Sequence, residues 1–191
     1  FAEFAGRVAP DLLCLPSAEV TGAQSLKAQR RVVAATQEYA AEALPLLSPE
    51  LFARSLGVVQ GGMDGKLRVH AAEGAVESGV AGFMIAGLNL AGEAMEQSLS
   101  ILKDTLAALP VPKLRAVQRI GAPIHVVDAC LAGTDLFDSG FTELATDAGC
   151  ALVFPLDMDA EEESRPSFLD LNDADTHRVS KEPLLPGCSC F

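Results

Sequence analysis

Four short segments put polar side chains or glycines directly behind apolar runs. Gln60-Gly61-Gly62 follows Leu56-Gly57-Val58-Val59, and Ala86-Gly87-Leu88 follows Gly82-Phe83-Met84-Ile85. Gln118-Arg119-Ile120-Gly121 follows Leu114-Arg115-Ala116-Val117, and Asp138 follows Thr134-Asp135-Leu136-Phe137. Glycines let backbone N–H groups approach a flat ligand, and a glutamine side chain can read the donor and acceptor edge of a heterocycle. A carboxylate such as Asp138 can act as a base or a nucleophile. Each segment also has a plainer reading: a tight turn for Gln60-Gly61-Gly62 and for Gly87, a helix N-cap for Asp138. A different chemistry belongs to Cys188-Ser189-Cys190, a thiol pair that suits half of a tetrahedral zinc site or is simply exposed. His70, His125 and His177 have no ligand spacing and receive no function.

The elements that must position these residues alternate between short apolar runs and amphipathic stretches, the pattern of a parallel sheet built from strand-helix units. Strands are expected at Asp11 to Leu15, Leu56 to Val59, Gly82 to Ile85, Leu114 to Val117, Thr134 to Phe137 and Ala151 to Phe154. Between them helices are expected from Gln24 to Leu44 with Leu26, Val33, Ala40 and Leu44 on one face, from Lys66 to Glu77, and from Pro123 to Ala132 capped by Gly133. Met95, Leu99, Leu102, Leu106 and Leu109 recur at steps of four and three, so they form one stripe of a further helix that Pro110 and Pro112 stop. Six strand-helix units make an incomplete (β/α)8 TIM barrel lacking its opening strands, since a whole barrel needs roughly 250 residues. In such barrels reactive groups gather at the C-terminal ends of the strands.

The chain has 191 residues, a net charge of -12 and five cysteines, Cys14, Cys130, Cys150, Cys188 and Cys190. An odd number with only the last two close together is a poor disulfide framework, so a reducing compartment is expected. The charge disfavours autonomous grip on nucleic acid. Half of it lies between Asp157 and Glu182, where nine acidic residues face three basic ones and a solvated insertion is expected. No apolar run approaches the ~20 residues of a membrane span, and no charged-then-apolar leader opens the chain, which reads as soluble and untargeted. Three regions are expected: a partial barrel at 1–156, an acidic insertion at 157–186, and the start of a zinc motif at 187–191. The start at Phe1 and the stop at Phe191, within that motif, point to a piece of a longer protein.

Taken in order, the segments ending in Gln60-Gly61-Gly62, in Ala86-Gly87-Leu88 with Gly92-Glu93, in Leu109-Pro110 with Lys113, and in Asp138, followed by Cys188-Ser189-Cys190, resemble the tRNA-guanine transglycosylase (queuine tRNA-ribosyltransferase) family. The likeness runs from about Asp11 to the end and lies in the order and spacing of the five motifs. It implies that Asp138 stands at the family's nucleophile position and that Gln60, Gly61 and Gly87 stand where the base is held. It implies one Zn2+ held by three Cys and one His, with Cys188 and Cys190 as the first pair, a further Cys three positions on and a His about two dozen residues later.

The departures narrow the resemblance. Catalytic members follow the nucleophile with a Pro-Thr-Arg-Asn-Ala-Arg-like segment suited to phosphates, whereas Thr142 to Asp147 puts Leu144 and Asp147 at the two arginine positions. Where the first strand of catalytic members ends in a base-reading acid, this chain has Leu15-Pro16-Ser17, and Gln118-Arg119 replaces a Met-Gly pair, where Arg119 would crowd the pocket. These changes resemble the accessory, non-catalytic subunit of the eukaryotic enzyme. That resemblance implies a catalytic partner subunit in a heterodimer, tRNA engaged through the complex, and a place in the cytoplasm or at the outer face of mitochondria. The alternative is a catalytic transglycosylase using Asp138 as nucleophile.

Overall fold

Five short strands lie side by side in the computed structural model, which describes residues 1–19, 25–88, 94–152 and 168–173. They are β1 (Leu13–Cys14), β2 (Ser55–Val59), β3 (Gly82–Ile85), β4 (Leu114–Val117) and β5 (Leu136–Phe137), all parallel and in sequence order. Every residue of β2 is buried, as a strand covered on both faces requires. The crossovers are carried by α2 (Leu26–Ala43), α4 (Gly65–Glu77), α5 (Met95–Ala107) and α6 (Pro123–Ala132). Parallel neighbours joined in sequence order by crossovers of one hand keep all helices on one face of the sheet. That is the winding of a barrel arc, without the order reversal of a doubly wound sheet. Before and between these lie α1 (Ala2–Val8), a 3-10 turn at Leu44–Leu46 and α3 (Pro49–Phe52).

The core sits between sheet and helices. Val59, Phe83, Ile85 and Val117 meet Val33, Ala71, Ala72, Ala75, Leu99, Leu102, Leu106, Leu109 and Ala129. The expected stripe of α5 is buried from Leu99 onward, and each such leucine contributes roughly 2 kcal/mol. Ser25 caps α2 by accepting from Ala28 N at 3.3 Å, Asp64 caps α4 by accepting from Leu67 N at 2.8 Å, and left-handed Gly133 ends α6. Leu26 departs from expectation: it is 43% exposed, because the first turn of α2 lies beyond the end of a β1 only two residues long.

The chain divides into two compact units, Phe1–Asp138 and Ser139–Phe191. The second contains α7 (Gly140–Asp147), β6 (Cys150–Leu152) and β7 (Phe168–Asp170). Here the sequence reading needs correcting, since the run at Ala151 is not a sixth member of the parallel sheet. β6 pairs antiparallel with β7 in a separate two-stranded sheet. Its residues are only half-buried, which suits an antiparallel strand and not a doubly covered parallel one. β7 in turn falls inside the acidic stretch expected to be a solvated insertion; the rest of that stretch, save Leu171, Asn172 and Asp173, lies outside the described residues, as do Gln24, Gly92, Glu93, Val153, Phe154 and His177.

Candidate functional site

The last registered row across the sheet is Val59, Ile85, Val117 and Phe137. One residue further along each strand come Gln60, Ala86, Gln118 and Asp138. Alternation along a strand therefore sets these four on the face opposite the helices, at the edge where all the parallel strands end. All four segments singled out in the sequence thus meet along one line because the register is continuous, and Gly87 follows directly on Ala86.

On one side of this mouth the groups are tied to each other. Gln60 is 4% exposed, and its Nε2 donates to Ala18 O at 3.2 Å. Ala18 N in turn donates to the buried Thr36 Oγ1 at 3.1 Å. The Gln60 Oε1 lies against the Cα of Gly87, where an added Cβ would overlap it, and Gly87 has φ +72°. Glycine is required there on both counts. The side chain of Gln29 on α2 touches Gly62 in the same way, so the start of α2 abuts this edge of the mouth. Ser17, at the acid position of the resemblance, is half-buried in the same loop.

Beneath these loops lies Arg68 of α4, which sequence reasoning missed. Its guanidinium is fully buried and has no carboxylate partner among the described residues, yet it donates to Gly62 O (2.8 Å), Val59 O (3.1 Å), Ala86 O (2.7 Å) and Gly87 O (3.0 Å). Burial pulls its pKa down to about 10, so the group remains a cation at neutral pH. One planar fork thereby fixes the carbonyls of the loops that follow both β2 and β3. The available signal was its spacing, since Arg68, Ala71, Ala72 and Ala75 share the core face of α4.

The other side of the mouth is open. Asp138 is exposed, and both of its carboxylate oxygens accept from the backbone N of Arg119, at 3.2 and 3.3 Å. Arg119 presents that N–H from a left-handed conformation, φ +66°, while its side chain is exposed. The N-cap of α7 is Ser139, without a side-chain hydrogen bond, so capping does not occupy Asp138. Leu144 and Asp147, at the two arginine positions of the resemblance, are both exposed on α7 in the second unit.

A cavity of about 280 Å³ lies between α2, α4 and β2, lined by Thr36, Gln37, Ala40, Gly57 and Gly74, and shares only Gln60 with the mouth. Cys188 and Cys190 lie outside the described residues. Among the described residues no group of three His, Cys, Asp or Glu could hold a metal ion, and no helix is long and apolar enough to cross a membrane.

Comparison with known proteins supplies the context. The family model for Queuine tRNA-ribosyltransferase matches residues 2–191. A Xenopus tropicalis protein named queuine tRNA-ribosyltransferase accessory subunit 2 is 32% identical over 212 aligned positions, covering 93% of this chain and 51% of the relative. The protein of the same name from Ixodes scapularis is 33% identical over 149 positions, 71% of this chain and 38% of its own length. A Nitrosospira multiformis protein named queuine tRNA-ribosyltransferase is 40% identical over 82 positions, 43% of this chain and 22% of its own. The chain thus spans about half or less of the length of these relatives.

Proposed function

Because the chain belongs to the queuine tRNA-ribosyltransferase family, we propose that it is part of the accessory, non-catalytic subunit, which supports exchange of guanine for queuine in the tRNA anticodon while a catalytic partner performs the chemistry. The observation that carries this reading is the state of Gln60, whose amide donates to Ala18 O and whose oxygen covers Gly87. A base-reading edge engaged in this way does not face a ligand. Ser17 in place of an acid, and Leu144 and Asp147 in place of cations, weaken the remaining grip on base and phosphate. The names of the animal relatives agree with it.

In this reading the full protein forms a complete barrel, and Cys188 and Cys190 supply two thiolates to a structural zinc whose other ligands follow Phe191. It meets the catalytic subunit as a heterodimer, touches tRNA through that complex, and works in the cytoplasm or at the outer face of mitochondria. The second reading, a catalytic subunit with Asp138 as nucleophile, is favoured by one feature: Asp138 is exposed on the same line as Gln60. Guanine exchange into tRNA, measured for the full-length protein alone and with the catalytic subunit, separates the two. Activity is expected only in the pair and is expected to survive Asp138→Ala in this subunit. Exchange by the lone protein that disappears with Asp138→Ala overturns the accessory reading.

A further inference from the structure

Helices α2 and α4 do not close on each other above β2. The cavity of about 280 Å³ between them is walled by Ala40 and Ala41 from α2 and by Ala71 and Ala75 from α4, with Gly57 of β2 beneath. Alanine ends at its Cβ, so these walls leave room that longer side chains would fill. An apolar cavity of about 150 Å³ holds a benzene ring, and ligand pockets begin near 300 Å³, so this space suits a molecule of about ten non-hydrogen atoms. Its lining runs from Gln60, at the mouth end, to Glu77 and Ser78, at the end of α4. At about 1.5 Å per residue, the stretch from Ala71 to Ser78 makes it a slot roughly 10 Å long. Gln37 reaches from α2 to α4, where its amide lies so close to Gly74 that an added Cβ would overlap it. That amide is half-buried and makes no hydrogen bond among the described residues, which leaves it available to a ligand's polar atom.

The slot is apolar along its walls and negative at one end. Among the described residues that line it, Glu77 alone is charged. It is exposed and has no hydrogen bond or ion pair among the described residues. Glu77 is also the last residue of α4, where the free carbonyls of the helix end carry partial negative charge, and the last turn of α4 contains no basic residue to offset it. No lysine or arginine lines the cavity. An anionic occupant is therefore repelled from this end, whereas a cationic group is drawn to it. Glycine and alanine on facing walls suit a flat body between them, and a length of roughly 10 Å lets a short tail carry the cation out to Glu77.

We propose that the slot between α2 and α4 is a binding site for a small aromatic monoamine, its ring between the alanine walls and its ammonium group at Glu77. The inference is independent of the accessory reading, because the cavity shares only Gln60 with the mouth. Its test is titration calorimetry of the full-length protein with tryptamine, indole and indole-3-acetate, probes that share one ring and differ in charge. Tryptamine is expected to bind about fivefold more tightly than indole, as an ion pair at an exposed helix end allows, and indole-3-acetate about fivefold more weakly. Glu77→Gln is expected to bring the three within about twofold of each other. Ala40→Leu places an apolar side chain in the slot and is expected to abolish binding of all three, with thermal unfolding to check that the variant is folded. Ala41→Leu, at an exposed position of the same wall, supplies the same readout if Ala40→Leu does not fold. The proposal is overturned if tryptamine gives no binding up to its solubility, if the three probes bind the wild-type protein equally, or if binding persists when the slot is filled in a folded variant.

Discussion

The two sides of the mouth are built differently from similar strand ends. At β2 and β3 the chain turns are drawn onto one buried cation, Arg68, and Gln60 closes over Gly87, so the loop carbonyls find their donors from within. At β4 and β5 the only link among the strand-end residues is a bifurcated contact from Arg119 N to an exposed Asp138. The first side is architecture and the second is nearly free of it. The fold depends on the first side, whereas the second can change at little structural cost.

Breaking the first side is expected to have the largest effect. Arg68→Met removes the guanidinium from four carbonyls, of which Val59 O keeps the Ala86 N donor, and urea unfolding of the full-length protein is expected to show a loss of about 4 kcal/mol. A loss below 1 kcal/mol would mean that water replaces the fork and that the two sides differ less than described. Gly87→Ala forces a Cβ into a left-handed backbone and into Gln60 Oε1, with an expected loss of about 2 kcal/mol by the same measurement. Gln60→Ala strips Ala18 O of its donor, for about 1 kcal/mol.

On the second side the sign reverses. Arg119→Gly relieves a left-handed residue and is expected to stabilise by about 1 kcal/mol, while Asp138→Asn changes stability by less than about 0.5 kcal/mol. A large loss from either would show that the open side is structural after all. Alkali provides a finer probe of Arg68, whose pKa is lowered to about 10 by burial. Above that pH the unfolded chain holds a proton the folded one has shed, so this group's contribution to stability rises with pH; below pH 10 both states are protonated and the contribution is flat.

Much of the parallel sheet was legible because its strands are short, mostly apolar runs followed by a turn residue, and because sequential parallel strands bring their ends to one edge. Gly82 to Ile85 and Leu114 to Val117 match β3 and β4 residue for residue, and Pro123 to Ala132 matches α6. The same logic failed at Ala151, since an apolar run names a strand but not its partner, and β7, 18 residues beyond the start of β6, decides it. The alignment of Gln60 with Asp138 followed from position alone, but the engagement of Gln60 did not, because its partner Ala18 lies 42 residues away. Arg68 was hidden for a similar reason. An arginine among alanines on a helix looks like a solvated side chain, and its acceptors come from two loops that only the folded sheet unites. The helices α1 and α7, of 7 and 8 residues, span barely two turns, too short a window for a helical period to be read in the sequence.

That Arg68 bonds neutral carbonyls has a practical corollary for ionic strength. Because no opposite charge faces it among the described residues and it is fully buried, its contribution is barely screened by added electrolyte, whereas the exposed Arg7–Glu3 pair is weakened by it. Potassium chloride is therefore a dial that separates buried from surface electrostatics in this molecule: raising it should loosen exposed ion pairs long before the turns that surround the mouth lose their form.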